Sequence, residues 1–308
     1  LEEASGVSGF ADFVGGYLFG PGIQRPYSHQ EEAFLASMRG DNIAVATGTG
    51  SGKTESFLMP ILARLLEESR GWAPPKQING PKWWQDGGTG SWRPDRDGEQ
   101  RQAAIRALVL YPMNALAEDQ MVRLRRLLDS PDSRAWLDEN RAGNRFHFGR
   151  YTSAAQPSER RPTLPDARRG GSAEERLRRE LRELETTRAT VVGADSAGGT
   201  GDARDAGDAG GDAEFFFPRP GGSEALTRWD MQTYPPDILI TNFTMLSIML
   251  GREDEEFMLE QTRQWLEESP EHKFTLVIDE LHLQRGTAGT EMAYLLRRLL
   301  ATPRCCRG

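Results

Sequence analysis

Residues 47–54 read TGTGSGKT, a run with three glycines that ends in Lys53 and Thr54. It follows a short apolar stretch (NIAVA, residues 42–46) and precedes a helical run. That order makes a phosphate cradle. Backbone N–H groups must converge on a phosphate chain from several sides, and glycines let a loop wrap that tightly. The helix start behind the loop adds its positive dipole. In such a loop Lys53 reaches the terminal phosphates and the Thr54 hydroxyl can ligand Mg²⁺. The candidate nucleotide-binding residues are therefore Thr47, Gly48, Thr49, Gly50, Ser51, Gly52, Lys53 and Thr54, with Glu55 beside them. The usual pattern has glycine where Thr47 stands, so the fit to GxxxxGK[ST] is incomplete. Taken alone, the run could also be a flexible turn. Pro60 falls inside the following helix and predicts a kink or a tolerated position there.

Four further runs resemble NIAVA: IRALVLY (105–111), FHFGRY (146–151), DILIT (237–241) and FTLVID (274–279). Short, nearly continuous hydrophobicity is how strands buried on both faces of a parallel sheet read. Between them, Met113, Leu116, Ala117, Met121, Leu124 and Leu128 share one helical face, as do Met292, Leu295, Leu296 and Leu299. Alternation of strands and helices predicts an α/β fold, a mostly parallel sheet with helices on both faces. Two insertions interrupt it. Residues 71–100 hold Trp72, Trp83, Trp84 and Trp92 among prolines and glycines. They read either as a surface insertion anchored by a few aromatics or as a stacking surface for bases or a partner. The second insertion spans residues 153–227. Its residues 173–187 read as a solvated charged helix, and the GDA repeats within 193–214 as disordered linker.

Some classes are excluded. The two cysteines, Cys305 and Cys306, are adjacent, so they can neither staple a fold nor supply zinc-ligand spacing. A reducing cytoplasm is the expected location. No apolar run approaches the roughly 18 residues of a membrane helix, and no signal peptide is visible. The net charge is −8, but much of the acid lies in the GDA tract, so a local nucleic-acid site elsewhere stays compatible with it.

Asp279-Glu280-Leu281-His282 closes the run FTLVID. Carboxylates at the C-terminal edge of a buried strand sit where open α/β sheets bind ligands. Asp279 would hold Mg²⁺ through water, and Glu280 would orient and deprotonate the attacking water. TGTGSGKT with DELH resembles the first RecA-like lobe of a superfamily 2 DExH/DEAD-type helicase, a P-loop NTPase domain. Tyr27-Ser28-His29-Gln30 is similar to the Q motif, in which the glutamine reads adenine. Tyr111-Pro112-Met113-Asn114-Ala115-Leu116 is similar to motif Ia. The stretch beginning Thr241-Asn242 is similar to the Ib/Ic region, and FGRYT at 148–152 fits the strand between. DELHLQRGTAGTEMAYLLRRL is close to the same region of large bacterial DExH helicases, including Lhr-like helicases and those of phage-defence islands.

The resemblance covers most of the chain outside the insertions and implies one ATP-binding domain over residues 1–308. It implies ATP and Mg²⁺ as cofactors, with Lys53, Asp279 and Glu280 catalytic and Thr54 and Asp279 at the metal. Nucleic acid is the implied partner, DNA ahead of RNA, touched by Pro112, Asn114, Ala115, Thr241 and Asn242. His282 would couple nucleotide state to a second lobe. Each residue also has a plainer reading. Gln30 can start a helix, Pro112 and Asn114 can end a strand, Thr241-Asn242 can cap a helix, and His282 can be a buried polar residue. Leu1 is not methionine, motif III and the second RecA-like lobe are not found, and a fragment is expected. Lacking an arginine finger, worth about 10³–10⁵ in rate, it would bind ATP but turn it over poorly. The rival functions are a translocase that does not separate strands, a non-catalytic scaffold, and a P-loop ATPase without a nucleic-acid partner.

Overall fold

The computed structural model describes residues 5–19, 25–48, 52–88, 91–156, 172–197 and 213–301. Among them, β1 (Ala107–Tyr111), β2 (Phe148–Tyr151), β3 (Glu224–Ala225), β4 (Ile238–Asn242) and β5 (Thr275–Ile278) form one sheet. Its order is β3-β2-β4-β1-β5, and each neighbouring pair runs parallel. The chain is thus an α/β RecA-like domain.

Helices cover both faces. They include α1 (Phe10–Phe13), α2 (Ser28–Arg39), α3 (Lys53–Glu68), α4 (Asn114–Asp129), α5 (Pro131–Asn140) and α6 (Ser172–Ala197). After β3 come α7 (Arg228–Thr233), α8 (Phe243–Met249), α9 (Glu253–Glu268) and α10 (Thr287–Ala301). The apolar monotony of β1 now has a cause. Ala107, Val109 and Tyr111 enter one core with Leu62 of α3 and Met121 of α4. Leu108 and Leu110 enter the opposite core with Leu246 of α8 and Met258 of α9.

Residues 42–46 depart from expectation. They form no strand. Their only large side chains are Ile43 and Val45, with alanines between, so lateral pairing would bury little area. Ile43 remains exposed. The α4 pattern holds for Ala117, Met121, Leu124 and Leu128, whereas Met113 becomes the N-cap and is 58% exposed. In α10 only Leu299 is buried. α3 continues through buried Pro60.

The two insertions fold onto each other. Trp83 and Trp84 are buried with Leu177 and Leu181 of α6 and Trp229 of α7, and Trp92 meets Trp229 edge to face at 5.8 Å. These indoles serve as anchors, which corrects the stacking-surface reading. α6 is not solvated all round, because Leu177 and Leu181 face those rings. Much of the GDA tract (residues 198–212) and both cysteines lie outside the described residues.

A buried ion cluster ties the starts of three strands. Asp237, just before β4, accepts Arg101 Nη1 at 2.6 Å and Nη2 at 2.7 Å. It also accepts Arg106 Nη1 at 2.9 Å and the His147 N–H at 2.8 Å. Burial alone would raise this carboxyl, but the Arg101 and Arg106 charges hold it at about 2.

Asp230 of α7 shows the reverse balance. Burial and the charge of Asp95, in the first insertion, push it up to about 8. A carboxyl with a raised pKa keeps its proton in the folded chain after the unfolded chain has released it. Its contribution to stability is therefore complete below the ordinary carboxylate range and is lost as pH rises through about 8. Raising the pH from about 6 to about 8.5 is expected to lower the thermal midpoint, and Asp230→Asn is expected to lessen that fall. Parallel pH–melting curves for the two proteins check this.

Candidate functional site

A cleft of about 700 Å³ lies between the first turns of α3, residues 41–45 and the length of β5 as far as Glu280. α3 starts at Lys53 with Gly52 as its cap, at φ 75° and ψ 35°. That is the left-handed region, which glycine enters without penalty. A Cβ on Gly52 would also collide with Gln30 Nε2.

Gln30 is buried at the third position of α2. Its Oε1 accepts the Tyr27 N–H at 2.8 Å, closing a capping box. Its Nε2 donates to the Gly52 carbonyl at 2.9 Å. The helix-start reading and the site reading of Gln30 therefore meet in one side chain that tethers the loop end to α2.

Across the cleft, Lys53 Nζ lies 3.9 Å from Glu280 Oε1. The Asp279 N–H continues the β1–β5 ladder by donating to the Leu110 carbonyl at 3.0 Å. Its Oδ1 accepts the Glu280 N–H at 2.9 Å. Burial pushes the Asp279 carboxyl above its ordinary range; the Glu280 N–H bond opposes this, the Glu280 charge reinforces it, and Lys53 opposes it again. Burial and the Asp279 charge together push the Tyr111 hydroxyl upward. Glu280 itself sits at φ 50°. A side chain in that conformation stores strain of about 1–3 kcal/mol, of the kind that collects at functional sites.

The Thr54 hydroxyl accepts from Gln120 Nε2 of α4 at 3.4 Å. Glu55 pairs with Arg123 of the same helix, and its second oxygen is buried without a hydrogen-bond partner among the described residues. Sequence reasoning passed over Gln120 and Arg123. Their only signal was a spacing of three, which places both on one face of the helix, and in a helix that also carries Glu118, Asp119, Arg125 and Arg126 it does not stand out.

The remaining candidates separate. Thr47 and Gly48 lead into the loop, and Thr49, Gly50 and Ser51 lie outside the described residues. Pro112 is partly buried after β1, and Asn114 and Ala115 open α4. Thr241 is buried, and its hydroxyl donates to the Tyr151 carbonyl at 2.6 Å. Its side chain is spent inside the sheet, which corrects its expected place at a nucleic-acid surface. Asn242 caps α8, its Oδ1 accepting the Met245 N–H at 2.8 Å. His282 has 64% of its side chain exposed, with Nδ1 3.2 Å from Glu280 Oε2, which corrects the buried-polar reading.

The family model for the DEAD/DEAH box helicase matches residues 27–146, a span that holds Gln30, Lys53, Thr54 and β1. Residues 27–146 thus match a DEAD/DEAH box helicase domain, and Asp279 and Glu280, outside that span, face its Lys53 across the cleft. Over 300 residues it is 34% identical to the Druantia protein DruE of Escherichia coli, covering 90% of this chain and 15% of that protein. Over 108 residues it is 27% identical to the uncharacterized ATP-dependent helicase YprA of Bacillus subtilis, covering 35% of this chain and 10% of that protein. The chain thus spans less than one sixth of the length of either relative. No solved structure gives a significant match.

Gly52→Ala is expected to destabilise the chain by about 1–3 kcal/mol, because the left-handed cap becomes strained and the Gln30 tether is displaced. Chemical denaturation measures this; an unchanged midpoint would contradict the tether.

Proposed function

We propose that this chain is the ATP-binding lobe of a nucleic-acid-dependent ATPase that hydrolyses ATP to move along a strand, DNA in preference to RNA. The observation that carries the reading is Lys53 at a helix start, 3.9 Å from Glu280 at a strand end. A cation and a carboxylate facing each other across a cleft form a place where a phosphate chain and its attacking water fit together. Phosphates would lie on the N–H groups at the start of α3, with Lys53 neutralising the terminal charge. Gln30 sits behind Gly52, where it holds the loop end, and it would read a base by exchanging its present bonds for that base. Glu280 is placed to orient the water and take its proton.

The donor set also suits Mg²⁺. The Thr54 hydroxyl and the Asp279 carboxylate are hard oxygen ligands on opposite sides of the cleft, and this cation prefers oxygen donors and retains several waters. When bound, the ion would neutralise charge on the phosphates. Pro112, Asn114 and Ala115 follow β1, and Asn242 ends the neighbouring parallel strand β4, so a nucleic-acid backbone is proposed to run over these strand ends. Nucleic-acid backbone lying there would be linked to the nucleotide through α4, whose Gln120 and Arg123 reach Thr54 and Glu55. The longer relatives leave room for a second RecA-like lobe, towards which exposed His282 would report. Among the described residues no helix is long and apolar enough to cross a membrane, and the cytoplasm is the proposed location.

Lys53→Ala is expected to weaken binding of an ATP analogue at least about tenfold, a loss of about 1.4 kcal/mol or more. Unaltered affinity would sink the assignment. In the longer protein, Glu280→Gln is expected to leave nucleotide binding intact while slowing turnover about 10²–10⁴-fold. Single-turnover hydrolysis with saturating single-stranded DNA reads that step, and undiminished turnover would remove Glu280 from the role of base.

A further inference from the structure

At the sheet edge opposite the cleft, before β2 and β4 begin, lies a second cavity of about 210 Å³. The first insertion contributes Lys76 and Lys82, α5 contributes Arg134, and the approach to β2 contributes Arg145. The Gly221-Gly222 turn closes the wall. Acids also line it, and each faces a cation or a hydrogen-bond donor, although the Asp95 Oδ1 has an ion pair and no hydrogen bond among the described residues. Asp95 has Lys82 at 3.6 Å. Glu99 has Arg96 at 2.5 Å and His147 Nε2 at 2.7 Å. Asp129 accepts the Ser223 N–H at 3.1 Å and the Ser223 hydroxyl at 3.3 Å.

Of the lining cations, Lys82, Arg96 and Arg145 have carboxylate partners, whereas Arg134 and Lys76 form no ion pair among the described residues. Arg145 Nη2 meets Asp138 at 2.7 Å, while its Nη1 donates to the Arg134 carbonyl at 3.3 Å. Arg134 Nη1 is buried with no hydrogen-bond partner among the described residues. Arg134 is moreover crowded by like charge: burial, then Arg219, then Arg145 lower its pKa, against Asp129 and Asp138. A buried guanidinium nitrogen without an acceptor is costly, and the planar fork of arginine matches a phosphate oxygen pair.

We propose that this cavity binds a phosphate group, with Arg134 as its anchor and Lys76 as a second cation. The volume agrees with a single charged group. Pockets that enclose whole small-molecule ligands run to about 300–1,000 Å³. The phosphate can come from a free phosphorylated small molecule or from a nucleic-acid backbone, and the chemistry at Arg134 is the same for both. The site is separate from Lys53 and stands whether or not the nucleotide reading holds.

The test is a calorimetric titration of inorganic phosphate into the chain carrying Lys53→Ala, which removes the lysine of the glycine loop from the measurement. Arg134→Gln and Lys76→Gln are then added separately. Binding that weakens about tenfold with either second substitution supports the site, since each removes one charged partner of the anion. No phosphate binding in the Lys53→Ala chain, or equal binding in all three proteins, overturns it. Circular dichroism establishes that each variant is folded, and if Arg134→Gln is not, the surface substitution Lys76→Gln decides alone. Competition with a short single-stranded oligonucleotide then assigns the source. Displacement of phosphate supports the site as a backbone contact, and retention supports it as a site for a small phosphorylated molecule.

Discussion

The sheet depends on one carboxylate. Asp237 is fully buried, yet both of its oxygens are occupied, by Arg101, Arg106 and the backbone of His147. Arg106 extends the cluster by gripping Glu68 at the end of α3 with two bonds, 2.6 and 2.8 Å long. Trp72 lies over Arg101 at 3.8 Å, and Trp265 donates to Glu68 at 3.1 Å. Ions taken from water at this cost persist when each oxygen and nitrogen finds a partner, and removal of one partner leaves an uncompensated charge. The clamp fixes β1, β2 and β4 at their starts. The sheet residues that face the cleft belong to β5 and to Asp279 and Glu280 at its far end, so the clamp stiffens the neighbouring strands without itself entering the site.

At the cleft, three helices are linked through short polar contacts. Gln30 ties α2 to the cap of α3, Gln120 ties α4 to Thr54, and Arg123 ties α4 to Glu55. All three contacts meet α3 within its first turn. A shift of α4 would thus be felt at Thr54 without passing through the hydrophobic core, whose dense packing resists such movement. Paired helical contacts of this kind are discrete, and they change by breaking and remaking bonds.

Much of this was legible in the sequence, and the failures have physical causes. β1 and β4 stood out because both of their faces are buried, so their composition alone marks them, and β5 shares that composition although it is only partly covered. TGTGSGKT and DELH stood out because tight phosphate loops and strand-end acids require particular residue types. The run at 42–46 misled because it shares the composition of a strand but has too little side-chain area to hold an edge. The role of the tryptophans was hidden because their partners Leu177 and Leu181 lie far along the chain. Asp237 was hidden for a different reason. In a chain with lysine at only four positions, arginine is so frequent that no single one signals a buried pair. Thr241 shows the limit of motif reading, since a conformationally apt residue can serve the sheet with the same hydroxyl that would have served a ligand.

β5 is one of the two edges of the sheet among the described residues, the other being the two-residue β3. Its four residues, Thr275, Leu276, Val277 and Ile278, are only partly covered. An open edge with apolar side chains is a template for pairing with another chain. Handled by itself at high concentration, this segment would be colloidally fragile, and its practical shelf life would depend on whatever covers that edge more than on the strength of its core.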